Sequence, residues 1–175
     1  MTDLEEALDL FLTTYQGLAV DAGRTEEGLI RMPPLVAYKA EQDNAGDDRP
    51  FLLPILVEGE VVVQAWDLLH ENLEKLYSAY GPATWVGWVN VAFMVIRESE
   101  DHKVSPGDLL QRYLDGDPAV GQTVIVTGFA KDEMVIKAFP ITFDDEDKPV
   151  WGEQIDQENI IEVGGVEAVM REYLA

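Results

Sequence analysis

His70, Glu71 and Glu74 spell H-E-x-x-E. On a helix, His70 and Glu74 stand four apart on one face, a spacing at which an imidazole and a carboxylate share a metal ion. The zinc-hydrolase form of the motif needs a second histidine where this chain has Glu74. The pattern therefore reads first as a solvated helix face. Asp144, Asp145, Glu146 and Asp147 form the longest acidic run and invite a calcium reading. An EF-hand loop requires Gly at its sixth position and Glu at its twelfth. Counted from Asp144 these are Pro149 and Ile155, and from Asp145 they are Val150 and Asp156. Neither register works, and the run reads as a solvated loop. Asp108, Asp115 and Asp117 have the residue type for paired-carboxylate catalysis. Asp115–Gly116–Asp117–Pro118 is also strong turn chemistry, which explains the same residues more simply.

Nucleophilic and cofactor chemistry find less support. The only serines are Ser78, Ser99 and Ser105, none in G-x-S-x-G, and His102 has no sequence-visible partner. There is no cysteine, which excludes disulfides, thiol catalysis and cysteine-ligated metals. Neither a Walker loop nor G-x-G-x-x-G occurs. Gly164–Gly165, ahead of a predicted helix, could offer backbone amides to an anion, but the charge of the chain opposes one. No cofactor and no metal is expected.

That charge dominates the composition. Thirty-four acids against twelve bases give −22 over 175 residues. Residues 1–88 carry sixteen acids and five bases, and residues 89–175 carry eighteen and seven, so each half is −11. An acidic tail would concentrate the charge in one block. Here it alternates with apolar residues, as on the solvent face of a folded domain, and at 47% hydrophobic the chain is too apolar for a charged disordered segment. Direct nucleic-acid binding is excluded, since phosphate contacts need clustered lysine and arginine. The N-terminus is acidic, unlike a secretory n-region. The longest nearly apolar stretch, residues 83–96, is shorter than the roughly 20 residues a spanning helix needs. A soluble, cytoplasmic protein without membrane association is expected.

The elements that position these residues follow from periodicity. Thr2 and Glu5 make a capping box ahead of Leu4, Leu8, Phe11, Leu12 and Tyr15 at helical spacing. Residues 23–32 read as no more than a helical turn starting at Thr25. Residues 35–40 and 51–57 read as strands, the latter at an edge or bulged because Pro54 lacks a ladder donor. A polar loop at 42–49 separates them. Residues 67–80 read as a helix with Trp66, Leu69, Leu73, Leu76, Tyr77 and Tyr80 in one stripe, stopped by Gly81–Pro82. Residues 84–96 are apolar on both faces, which predicts a central strand covered on both sides, with Asn90 buried. A short helix at 108–114, a hairpin from 123–129 to 134–143 with Pro140 marking an edge or bulge, and a last helix at 166–174 complete the chain. Strands and helices do not alternate strictly, so a doubly wound parallel sheet is not expected. The predicted fold is a single α+β domain over residues 1–175, a mainly antiparallel sheet of about five strands with helices packed on it.

Trp85 and Trp88 fall on opposite faces of the central strand and, with Trp66, read as core. Trp151 follows the acidic run and precedes Glu153, which gives it the character of an exposed interface anchor. The functional expectation is a non-enzymatic acidic module that docks on a basic, nucleic-acid-binding protein, an inhibitor or accessory protein of phage or immunity type. Its candidate surface is Asp43, Asp47 and Asp48, then Asp144, Asp145, Glu146 and Asp147, with Trp151 and Glu153. Two alternatives compete: a small-molecule or metal enzyme using His70 and nearby carboxylates, and a charge that is only an adaptation to salt.

Overall fold

Thr2 begins the first helix as its sequence demands. Its hydroxyl accepts from the Glu5 amide at 3.2 Å, and the Glu5 carboxylate accepts from the Thr2 amide at 2.8 Å. The computed structural model describes residues 2–41, 49–54, 61–95, 106–155 and 170–174, with backbone only for 61–67, 94–95 and 106–107. Helix α1 (Asp3–Ala22) buries Leu4, Leu8, Phe11, Leu12, Tyr15 and Ala19. Gly23 ends it with φ of 73°, a left-handed conformation that suits glycine.

The other elements are β1 (Leu35–Ala40), β2 (Phe51–Pro54), α2 (Val61–Tyr80), β3 (Ala83–Val95), α3 (Pro106–Leu114), β4 (Val120–Ala130), β5 (Glu133–Phe143) and β6 (Pro149–Trp151). The strands form one antiparallel sheet in the order β2-β1-β3-β4-β5-β6. The fold is α+β and a single small domain. Strand β3 is central, as its two apolar faces predict. Leu35, Ala37, Val89, Val124 and Val126 point to the face that carries α1. Val36, Tyr38, Val86, Trp88 and Phe129 point to the opposite face, under Leu69, Leu73 and Leu76 of α2 and Met170 and Tyr173. Asn90 is half-buried rather than buried; the pairing of β1 with β3 ends one residue earlier, at Leu35 opposite Val89.

Helix α1 reaches the sheet through two glycines. Gly87 and Gly128 are direct register partners on β3 and β4, and both lie under Leu8, which is fully buried. A Cβ on Gly128 would fall inside the Leu8 side chain, 2.7 Å from Cδ2 and 2.8 Å from Cγ. On Gly87 it would stand 3.1–3.3 Å from Trp85, Leu8 and Phe11. Glycine inside a strand marks such a close approach. Beyond it, the Lys137 ammonium on β5 pairs with Asp9 at 2.7 Å.

On the same sheet face, α3 is held by a buried polar knot. The fully buried Gln122 carboxamide donates to the Gly28 carbonyl and the Tyr113 hydroxyl, and accepts from the Ile30 amide at 3.0 Å. Tyr113 also donates to Gly28 at 2.9 Å. The single turn expected at Thr25 is present, with the Gly28 amide donating to the Thr25 carbonyl at 3.0 Å, but it stands in a longer loop. Residues 23–32 form a loop closed by an Arg24–Ile30 bridge and pinned to β4 and α3.

Three further differences have physical causes. A sixth strand, β6, exists because three residues after the acidic loop pair with Ile141, Thr142 and Phe143; so short a segment has no periodicity to read. Helix α2 starts at Val61, not 67, overriding the low helix propensity of three consecutive valines. Strand β2 is an edge among the described residues, as Pro54 requires, but is described only to Pro54; residues 55–57 of the predicted strand lie outside. Strand β5 is not an edge. Gly152 donates to the Pro140 carbonyl at 2.7 Å, so that residue's missing N–H faces β6 and the ladder to β4 continues. Of the predicted last helix, only Met170–Arg171 are described as helical, and Leu174 bridges Ala83. Among the described residues no helix is long and apolar enough to cross a membrane.

Substituting Gly128→Ala is expected to destabilise the protein by about 1–3 kcal/mol, the usual range for overpacking, and Gly87→Ala by less. Leu8→Ala alone should cost about 2–5 kcal/mol, while the Leu8→Ala/Gly128→Ala pair should cost clearly less than the sum, since the smaller side chain makes room for the new Cβ. Urea unfolding of the four variants measures this; strict additivity would show that the two sites do not meet.

Candidate functional site

The acidic run forms the β5–β6 turn. The Asp144 carboxylate accepts from the amides of Glu146 and Lys148, both at 2.9 Å, and its backbone N–H donates to the Lys148 carbonyl at 2.9 Å. Asp147 has φ of 62°, a conformation that Asp tolerates better than most side chains. It pairs with Arg24 at 2.7 Å. Lys148 reaches across to the Val20 carbonyl at 3.1 Å, where the negative end of the α1 dipole favours a cation. The run is thus a braced turn rather than a loose loop. Asp144 builds it, Asp147 moors it, and Asp145 and Glu146 stand exposed on it.

Trp151, on β6, does not present its ring as a free anchor. It meets Tyr15 edge-on with centroids 6.3 Å apart and Phe139 at 6.5 Å, and packs against the core on the α1 face. Its Nε1 is buried without a partner among the described residues, as is the Tyr15 hydroxyl, whose pKa burial pushes up. An interface anchor keeps its polar tip for the partner; this one has it inside. Glu153 is exposed beyond the strand. Asp43, Asp47 and Asp48 lie outside the described residues. Of the nine candidates, the described ones are those of the β5–β6 turn and its flank, Asp144, Asp145, Glu146, Asp147, Trp151 and Glu153, and these lie together at one end of the sheet.

The carboxylates near α3 have structural partners. Asp117 accepts from the Ala119 amide at 2.9 Å and the Arg112 guanidinium at 2.8 Å, and Asp115 accepts from the Gln111 carboxamide at 2.9 Å. Gly116, between them, has φ of 85°. Among the described residues no group of three His, Asp or Glu side chains could hold a metal ion. His102, Ser99, Ser105, Gly164, Gly165 and the Trp66 side chain lie outside the described residues.

His70 is engaged by Tyr173, whose hydroxyl lies 2.7 Å from Nδ1; Glu74 stands 4.0 Å away. Burial, then Glu74 and Glu172, raise the Tyr173 pKa. The neighbouring depression, lined by Glu71, Glu74, Lys75, Ser78 and Ala79, is open to solvent.

Sequence reasoning placed Tyr77 and Tyr80 in the buried stripe of α2. They are instead 43% and 46% exposed. The stripe that packs is Leu69, Leu73 and Leu76, while the two tyrosines lie to its side, partly open to solvent. Tyr80 stacks on Phe51 of β2 with centroids 4.2 Å apart, and Tyr77 meets Tyr173 edge-on at 5.9 Å. The only hint was the position of both tyrosines in the last turn before Gly81–Pro82.

The Asp117 carboxyl is held below the usual range, first by the Ala119 amide and then by Arg112. A lowered carboxyl pKa contributes stability that is full above the unfolded value, about 3.9, and is lost as pH falls through the folded value. Asp117→Asn should therefore be less stable than the parent at neutral pH, with the gap narrowing below about pH 4. Thermal unfolding at several pH values measures this, and a gap independent of pH would contradict it. Comparison with family models, with curated proteins and with solved structures finds no match for this chain.

Proposed function

We propose that this chain is a non-enzymatic, acidic protein-binding module that docks on a basic, nucleic-acid-binding protein, acting as an inhibitor or accessory protein of the phage or immunity kind. The observation that carries the reading is the charge itself: −22, divided equally between the two halves of the sequence. Complementary fields speed encounter with a basic partner and suppress acidic ones. The braced turn supports the reading in a second way. Asp145 and Glu146 are exposed on a turn fixed by Arg24 and Lys148, so little ordering entropy is lost when a partner engages them.

The enzyme reading through His70 gains nothing from the geometry, because Tyr173 occupies its Nδ1 and the adjacent depression is open. Cytoplasmic location belongs with the proposed partner, since a basic nucleic-acid-binding protein is met there.

The test is capture from source lysate on the immobilised chain at about 50 mM and about 0.5 M salt, where screening lengths differ severalfold. A basic nucleic-acid-binding protein retained at low salt, released at high salt and displaced by added duplex DNA is the expected result. Retention of none, or retention that DNA does not compete, would overturn the proposal.

A further inference from the structure

Resting on the proposed docking function, we infer that the ridge of α2 carrying Glu74, Tyr77 and Tyr80, with Phe51 of β2, is the arginine-recognition surface for the basic partner. Phe51 and Tyr80 are in contact, and Tyr77 and Glu74 follow along α2 at three-residue steps. Phe51 and Tyr80 are stacked, 22° from parallel. Tyr77 is three residues from both Tyr80 and Glu74, which makes it a neighbour of each on the helix surface. Glu74 is 66% exposed and lies beside His70. Phe51, Tyr77 and Tyr80 are each at least 40% exposed. Three large rings in contact with solvent on a surface this acidic call for a ligand that satisfies both features.

Arginine does so. Its planar guanidinium stacks on aromatic faces and pairs with carboxylates, whereas a lysine ammonium is compact and strongly hydrated. The fold already uses such contacts internally: Arg24 lies 5.9 Å from the Phe143 ring centroid and Arg171 lies 5.6 Å from that of Phe129. Elsewhere the acidic coat attracts any cation. On this strip the rings add a preference for the guanidinium, so the coat provides the attraction and the ridge provides the discrimination. The β5–β6 turn, which offers carboxylates without exposed rings, does not discriminate.

Equal-length oligo-arginine and oligo-lysine peptides, titrated by fluorescence anisotropy at low salt, test this. The parent protein should bind oligo-arginine about fivefold or more tighter than oligo-lysine. Tyr77→Ala/Tyr80→Ala should abolish the preference and leave oligo-lysine affinity within about twofold. Tyr77→Leu/Tyr80→Leu, which keeps apolar cover over Phe51 and guards against a folding defect, should do the same. Asp145→Asn/Glu146→Gln should weaken both peptides alike and keep the preference. Equal affinities in the parent, or a preference that survives both tyrosine variants, would overturn the inference while leaving the acidic docking function standing. Absence of binding by either peptide would overturn both.

Discussion

The contact on which the rest of the molecule depends is that of Leu8 with Gly87 and Gly128. Two adjacent central strands each lack a side chain at the same level of the sheet, and α1 settles into the gap. That approach fixes the height and axis of the helix. From there Asp9 meets Lys137, Tyr15 meets Trp151 and Phe139 closes behind them, and the helix C-terminus arrives where Lys148 and Arg24 hold the acidic turn. A larger residue at either glycine would lift α1 and loosen each of these contacts together. Interiors are close-packed, so such displacement is not absorbed locally.

The same core explains how a chain of −22 stays folded. Like charges spread over a surface oppose compaction, and several carboxylates offset part of this by local structural work. Glu5 completes a helix cap, Asp144 and Asp117 close turns, and Asp9 and Asp147 form ion pairs. Asp145, Glu146 and Glu153 stand exposed on and beside the β5–β6 turn, and are the acids that the proposed docking would use. The division is one of roles rather than of position along the chain, which is why counting acids by segment could not find it.

Much of the fold was legible because local signals and burial agreed. The capping box at Thr2, the stripe of α1, strand β1 and the doubly apolar β3 each carried a periodicity that packing reinforced. Strand β6 was not legible, since three residues have no period and its pairing exists only because β5 is already in place. Gly87 and Gly128 sat inside predicted strands, but that they face one another depends on the β3–β4 register. The site was less legible than the fold. Trp151 read as an exposed anchor because its sequence neighbours are acidic, while its ring is partly buried against Tyr15 and Phe139. Tyr77 and Tyr80 read as buried because helical spacing shows which residues share a stripe but not how far the packing covers its margin.

Packing is therefore held here to carry the fold against the charge, so that the coat is free for a partner. Chemical unfolding of the free protein from about 10 mM to about 1 M salt tests this most directly, since screening of exposed charges is weak at one end and nearly complete at the other. The account predicts a folded, cooperative protein throughout, with stability rising only modestly with salt. A chain unfolded at low salt and folded only near molar salt would contradict it, and would make the charge an adaptation to brine rather than a means of recognition.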